Sequence, residues 1–258
     1  MKNIVIKIGG SLAVDFQKLS EFVKAVSLLK TQGYNIALVH GGGKEINANL
    51  ALLKETPQFI DGMRVTTPSI MNMVEMTLSG LVNKKIVRLF LDNNVKAIGI
   101  SGVDASLFKV VKRKGNVDLG LVGEIQEVEE QLIFDLWKAS YLPVISPVSY
   151  GNGLSWNVNA DTAASKLATA LKADAFVLVS DVPGVLDLEN NVIPELSKEK
   201  AETLIQEGVI SGGMIPKVRE SFDSIEKGIS SIHIVGFKDT ETFCKQIQGK
   251  ENGGTILK

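Results

Sequence analysis

Four short stretches supply between them glycines, lysines and carboxamide or carboxylate side chains in spacings suited to handling an anion. The first is Lys7-Ile8-Gly9-Gly10-Ser11, at the end of an otherwise apolar run. A buried ammonium needs a counter-charge, but at the carboxyl end of a parallel strand it points into the crevice where α/β sheets hold ligands. Gly-Gly-Ser then lets backbone N–H groups approach an anion, with a helix start close behind. The second is His40-Gly41-Gly42-Gly43-Lys44-Glu45, whose glycines can form another nest of N–H donors. It is not a P-loop, because the earlier glycine is missing and Glu45 replaces the Ser/Thr. Nor is it a dinucleotide fingerprint, because Ile46 occupies the third glycine position.

The third stretch, Asn157-Val158-Asn159-Ala160-Asp161, opens an apolar-striped helix. Any one of its three polar side chains could be an ordinary N-cap, but three exceed what capping needs. The fourth is Ser211-Gly212-Gly213-Met214-Ile215-Pro216-Lys217, which puts Lys217 in the first turn of a helix. A cation there opposes the helix dipole by a few tenths of a kcal/mol to ~1, and a bound anion reverses the sign. Two lysines, an aspartate and two glycine nests are groups that can stabilise charge on a transferring phosphoryl group. No obvious nucleophile or general base accompanies them, which suits an acceptor that is already ionised at neutral pH, such as a carboxylate.

The composition is consistent with that chemistry. In 258 residues, 28 Lys+Arg stand against 29 Asp+Glu, a net charge of −1. Near-neutrality argues against a protein built to grip nucleic acid or an anionic membrane. One cysteine, Cys244, excludes an internal disulfide framework, and two isolated histidines, His40 and His233, exclude a His-rich zinc site. The first apolar run meets Lys7 too early for a secretory signal, and later runs are too short to span a bilayer. The expectation is a cytoplasmic protein.

The elements that must hold these residues alternate between short β-branched runs and helical periodicity, the pattern of an α/β fold with a mostly parallel sheet. Strands are expected at 3–8, 35–40, 96–100, 142–146, 175–180 and 231–235, with a hairpin formed by 109–114 and 121–126. A helix carries Leu19, Phe22, Val23, Val26 and Leu29 on one face and stops at Gly33. Another starts at Thr67-Pro68 and runs about six turns, with Met73, Val74, Thr77, Leu78, Leu81 and Ile86 inward.

In order along the chain stand Lys7-Ile-Gly-Gly10, His40-Gly-Gly-Gly43, Gly62-Met-Arg-Val-Thr66, Leu78-Ser-Gly-Leu-Val-Asn-Lys84 and Gly99-Ile-Ser-Gly102. Val122-Gly-Glu-Ile125, Asn157-Val-Asn-Ala-Asp161, Ser180-Asp-Val-Pro-Gly-Val-Leu-Asp187 and Gly212-Gly-Met-Ile-Pro-Lys217 follow. This ordered set resembles the amino acid kinase family, and within it the branch that acts on N-acetyl-L-glutamate. The resemblance implies a three-layer αβα sandwich with a mostly parallel central sheet and two lobes. The N-lobe, about 1–173, would bind the acceptor and support dimerisation, and the C-lobe, about 174–258, would bind the nucleotide. Lys7 and Lys217 would straddle the γ-phosphoryl group of ATP, with Asp161 holding both ammonium groups. Gly10 and Gly42 would donate N–H groups to the phosphoryl oxygens, and Gly43 would line the acceptor. Arg64 would pair with the acceptor's α-carboxylate, a task suited to a planar fork, and Asn157 would bind its remaining polar groups. Asp181, Val182, Pro183, Gly184, Val185 and Leu186, with Val209, Ile210 and Ser211, would line the adenine and ribose pocket. Magnesium would ride on the ATP phosphates mostly through water, without a dedicated protein site.

The implied reaction is ATP-dependent phosphorylation of the side-chain carboxylate of N-acetyl-L-glutamate in arginine biosynthesis. The nearest alternative is a relative acting on carrier-bound or N-acetylated aminoadipate in lysine biosynthesis, whose pocket differs around Gly62–Thr66 and whose acidic carrier would favour a basic patch. Lys112-Arg113-Lys114 is the one short basic cluster. A non-catalytic sensor on the same scaffold would be expected to lose Lys7, Asp161 or Lys217, and all three are present. Arginine-inhibited members carry an extra helix ahead of the first strand, and here the strand begins at Asn3. The expectation is a homodimer, built partly on the 68–92 helix, that arginine does not inhibit.

Overall fold

The computed structural model describes residues 2–212, 214–250 and 253–258. Strands β1 (Asn3–Ile8), β2 (Asn35–His40), β3 (Phe59–Ile60), β4 (Met63–Arg64), β5 (Ala97–Gly102), β6 (Phe108–Lys112) and β7 (Gly123–Val128) occupy the first half. They are followed by β8 (Leu142–Gly151), β9 (Leu154–Trp156), β10 (Ala175–Ser180), β11 (Glu195–Leu196), β12 (Ile232–Gly236) and β13 (Thr255–Leu257). Apart from the small β3–β4 hairpin, these strands form one sheet in the order β11-β13-β12-β10-β1-β2-β8-β6-β7, with β5 and β9 also pairing to β8. Its centre, β12-β10-β1-β2-β8-β5, is parallel throughout. Antiparallel pairing is confined to the margins, at β6–β7, β8–β9 and β12–β13.

Period-two alternation divides the core between the two faces of this sheet. Ile4, Ile6 and Ile8 of β1 pack on one side with helices α1 (Gly10–Val14) and α2 (Phe16–Thr31). Val5 points to the other side, where α7 (Ala160–Ala170) packs. The first layer also takes α5 (Asn83–Asp92) and α10 (Thr240–Ile247). The second takes α6 (Gln131–Lys138), α8 (Lys198–Gln206) and α9 (Met214–Glu226). The three-layer αβα arrangement that the resemblance implies is therefore present. A smaller apolar cluster joins α3 (Gly43–Leu52) to α4 (Pro68–Glu75) through Ile46, Leu50, Met71 and Val74. Gly33 and Gly228, at φ +89° and +111°, adopt the left-handed conformation that ends α2 and α9. No helix among the described residues is long and apolar enough to cross a membrane.

The helix beginning at Thr67 departs from expectation. The Thr67 hydroxyl accepts from the Ile70 N–H and Pro68 opens the first turn, but Met76–Val82 is π-helical before α5 resumes. A π-turn bonds i to i+5 and inserts one residue into the phase. Leu81, expected inward, is 55% exposed, and Val82 takes its place at 2%. Downstream Asn83 lies fully in the interior beside Ile86, which is inward as expected. Several strands also differ in extent: the hairpin pairs Phe108–Lys112 with Gly123–Val128 rather than 109–114 with 121–126, and β12 covers Ile232–Gly236 rather than 231–235. β8 runs to Gly151 rather than stopping near 146, and β5 runs from Ala97 to Gly102 rather than over 96–100.

Candidate active site

Because β1, β2 and β8 run parallel, their carboxyl ends meet at one rim, where loops and helix starts converge. A cleft of about 280 Å³ opens there, between the glycines after β1 and β2, the β3–β4 hairpin and the start of α7. Lys7 lies on the Val5 face of β1, the side covered by α7, so its ammonium meets the first turn of that helix. Nζ is 2.7 Å from Oδ1 of Asp161, with the two side chains 14% and 27% exposed. The lysine folds back over Gly9 so closely that a Cβ there would lie 2.7 Å from Nζ. Gly10 opens α1 directly behind this pair, and Gly43 opens α3 behind the second glycine loop.

The three polar residues at the start of α7 divide their work. Asn159 is the cap, its Oδ1 accepting from the N–H groups of Asp161 and Thr162 at 2.7 and 3.3 Å. That frees Asp161 for Lys7. Asn157 lines the cleft and donates from Nδ2 to the Thr66 hydroxyl at 3.0 Å, while that hydroxyl donates to the Arg64 carbonyl.

Arg64 sits on β4 and is 7% exposed. Its Nη2 donates to Asn47 Oδ1 at 2.6 Å and to the Gly43 carbonyl at 3.4 Å, and its guanidinium carbon lies 4.7 Å above the Phe59 ring. Nη1 is buried with no hydrogen-bond partner. Burial pushes the guanidinium pKa below its ordinary value. A buried charged donor left unpaired costs more than the 1–3 kcal/mol of a neutral one, so an acceptor placed at Nη1 would be stabilising.

Lys217 lies in the first turn of α9 and shares a small adjoining cavity with Asp161 and Glu220. Among the described residues no ion pair joins it to Asp161, so of the two expected ammonium partners Asp161 holds Lys7. Gly213, from the motif ahead of Lys217, lies outside the described residues. Of the residues expected at a nucleotide pocket, Asp181, Pro183 and Ser211 are exposed and Val182 is 37% exposed. Leu186 and Val209 are half-buried. Val185 and Ile210 correct the expectation in part: their side chains are buried in the same core cluster, so only their backbones can face a ligand. Gly184 is needed where it stands, because a Cβ would meet Thr255 Oγ1 at 2.8 Å. Arg113 and Glu124, from the β6–β7 hairpin, also line the cleft. Neither was expected in the cleft: Arg113 stands in the basic cluster 112–114 and Glu124 in the Val122–Ile125 motif, and charged residues in a hairpin look like a solvated edge.

His40 ends β2 fully buried, and desolvation lowers its pKa to about 4. In the unfolded chain it titrates near ~6.5, so between those values the unfolded state binds more protons. Its contribution to stability is complete above about pH 6.5 and falls by about 3 kcal/mol as the pH drops to 4. Denaturant titrations at pH 7, 5.5 and 4 should show His40→Leu losing less stability than the parent over this range. Equal pH slopes would contradict the assignment.

Residues 2–236 match the model of the amino acid kinase family. An acetylglutamate kinase of Aquifex aeolicus is 41% identical, covering 99% of this chain and 91% of that relative. One of Nitratiruptor is 43% identical over 97% of this chain and 89% of the relative. Among solved structures, the N-acetylglutamate synthase of Neisseria gonorrhoeae, complexed with coenzyme A and N-acetyl-glutamate, superposes with a TM-score of 0.87 at 17% identity. It covers 99% of this chain and 59% of the other, a likeness of fold. With a family match over most of its length and relatives this similar, the chain belongs to the amino acid kinase family.

Proposed function

We propose that this chain transfers the γ-phosphoryl group of MgATP to the side-chain carboxylate of N-acetyl-L-glutamate, giving N-acetyl-L-glutamyl 5-phosphate and ADP in arginine biosynthesis. The observation that carries the reading is Arg64, with its buried, unpartnered Nη1 at a cleft whose other end holds Lys7 and the glycine loops. One end suits a fixed carboxylate and the other a phosphoryl group. The kinase names of the full-length relatives support the same reaction.

In this reading Arg64 pairs with the acceptor's α-carboxylate, while Gly43 and Asn157 flank the acceptor. The side-chain carboxylate, already ionised, attacks the γ-phosphorus directly, and the bond to the β-phosphate oxygen breaks. No proton has to be removed. Lys7 and Lys217 neutralise the equatorial oxygens, Asp161 orients Lys7, and the N–H groups of Gly10 and Gly42 donate to the same oxygens. Residues 1–173 form the acceptor lobe and 174–258 the nucleotide lobe, where 181–186 and 209–211 line the nucleotide. Among the described residues no three His, Cys, Asp or Glu side chains group as a metal site. Magnesium in this scheme is part of the substrate, held by the nucleotide's phosphates.

The enzyme works as a cytoplasmic homodimer. The outer face of the 68–92 helix, where Met76, Leu81 and Leu91 are more than half exposed, supplies apolar surface for the partner. Hydroxamate trapping with MgATP and N-acetylglutamate should detect acyl phosphate, with N-acetyl-aminoadipate a much poorer acceptor. No trapped product from N-acetylglutamate would reject the assignment.

A further inference from the structure

His40 is the one fully buried imidazole beside the site, and it does not line the cleft. Both its ring nitrogens are nevertheless engaged. Nδ1 is 2.9 Å from the carbonyl oxygen of Gly41, which can only accept, so Nδ1 carries the hydrogen. Nε2 is then the acceptor, 3.2 Å from Nδ2 of Asn83. Asn83 reaches this position because the π-turn moves the helix phase by one residue. The two hydrogens of this amide are shared among three acceptors, His40 Nε2 and, on the sheet, the carbonyls of Val144 at 2.9 Å and Ile100 at 3.3 Å.

This chain of bonds ends on the peptide between Gly41 and Gly42. A trans peptide is planar, with its C=O and N–H pointing in opposite directions. Holding the Gly41 carbonyl against the imidazole therefore turns the Gly42 N–H to the other side. A peptide flanked by two glycines is also the cheapest kind to rotate, because neither residue has a Cβ to resist. Packing against the π-turn limits Gly42 itself, since a Cβ there would lie 2.7 Å from Leu78 Cδ2 and 3.3 Å from Val82 Cγ2. It does not choose which way the preceding carbonyl points.

We infer that His40 and Asn83 form a positioning pair that locks the Gly41–Gly42 peptide, so that the Gly42 N–H is held as a donor to the transferring phosphoryl group, neither residue touching a substrate. The inference rests on the kinase reading above, because it names what the amide is for.

His40→Asn and His40→Leu separate positioning from packing. The Asn amide nitrogen sits on Cγ, as Nδ1 does, and can still donate to the Gly41 carbonyl. Leu fills the volume with no donor. Turnover should stay within about fivefold of the parent for His40→Asn and fall about 10²-fold for His40→Leu, the usual effect of losing one oxyanion donor. KM for ATP should change little in either. Thermal stability should rank the other way, with the apolar replacement the more stable. His40→Leu turnover within threefold of the parent, or turnover that tracks melting temperature, would overturn the inference.

A measurement on the free protein is independent of activity. ¹⁵N NMR of the imidazole at pH 7 should show a neutral ring protonated at Nδ1. The other tautomer or an imidazolium would refute the lock, even if the variants do not fold. Absence of acyl phosphate with the parent protein, alongside the Nδ1–H tautomer, would instead reject the kinase reading and with it the role given to the Gly42 donor.

Discussion

Replacing Lys7 by Met is expected to lower kcat by about 10²–10³-fold while leaving KM for ATP within a few-fold. Met keeps most of the length and apolar stem of lysine, so the side chain still lies along β1 and over Gly9, and only the charge disappears. That charge matters most when negative charge spreads onto the equatorial oxygens of the moving phosphoryl group, so its loss falls on turnover. A second effect adds to the first. Nζ lies 2.7 Å from Asp161, which is only 27% exposed, so the substitution leaves a carboxylate facing the phosphates without its counter-charge. Neutralising that carboxylate should recover part of the loss. In a cycle of Lys7→Met, Asp161→Asn and the double variant, the double should be less impaired than the product of the singles. The expected coupling is about 1–3 kcal/mol. Steady-state kinetics with saturating acceptor decides the matter. A Lys7→Met enzyme within tenfold of the parent would remove Lys7 from the chemistry, and strict multiplicativity would mean that Asp161 does not act through it.

Much of what places this pair was readable from residue order. Alternation in Asn3–Ile8 puts Lys7 on the side opposite Ile6 and Ile8, and an N-terminal helix turn opening at Asn159 puts Asp161 beside that face. Thr67-Pro68 and Gly33 marked helix ends because capping and left-handed φ demand those residue types. The π-turn was not readable, because it leaves no mark in composition. Leu81 and Val82 are chemically alike, so periodicity extrapolated from Val74 selects the wrong one of the two. Asn83 was hidden with it, since an amide one position past an apolar stripe reads as surface. Short margins such as β11 and β13 exist only through their mutual pairing and that of β13 with β12. The basic cluster at 112–114 shows how tertiary context divides neighbours. Lys112 pairs on the surface with Asp118 at 2.7 Å, while Arg113 lines the cleft.

Arg64→Met should raise KM for the acceptor by about 10²-fold, with a smaller effect on kcat and none on KM for ATP. Arg64 is held from three directions: Asn47 Oδ1 at 2.6 Å, the Gly43 carbonyl at 3.4 Å and the Phe59 ring beneath. Such restraint costs side-chain entropy, and it leaves Nη1 buried without a partner. In the empty protein that is a penalty, which a bound carboxylate removes by accepting from it. Losing a buried, hydrogen-bonded charge contact costs about 2–5 kcal/mol of binding, a factor of ~30 to several thousand in affinity. The α-carboxylate takes no part in bond making, so the loss should appear as weakened acceptor binding. Arg64→Lys should not restore it, because a point charge on a flexible stem cannot reproduce a planar fork fixed by Asn47. Stability gives a second reading of the same residue. Removing an unpaired buried donor offsets the loss of packing on Phe59, so the ligand-free variant should melt close to the parent. Saturating N-acetylglutamate should raise the melting temperature of the parent and leave that of the variant almost unchanged. An acceptor KM within threefold of the parent, or equal stabilisation of both proteins by the acceptor, would show that the carboxylate is held elsewhere in the cleft.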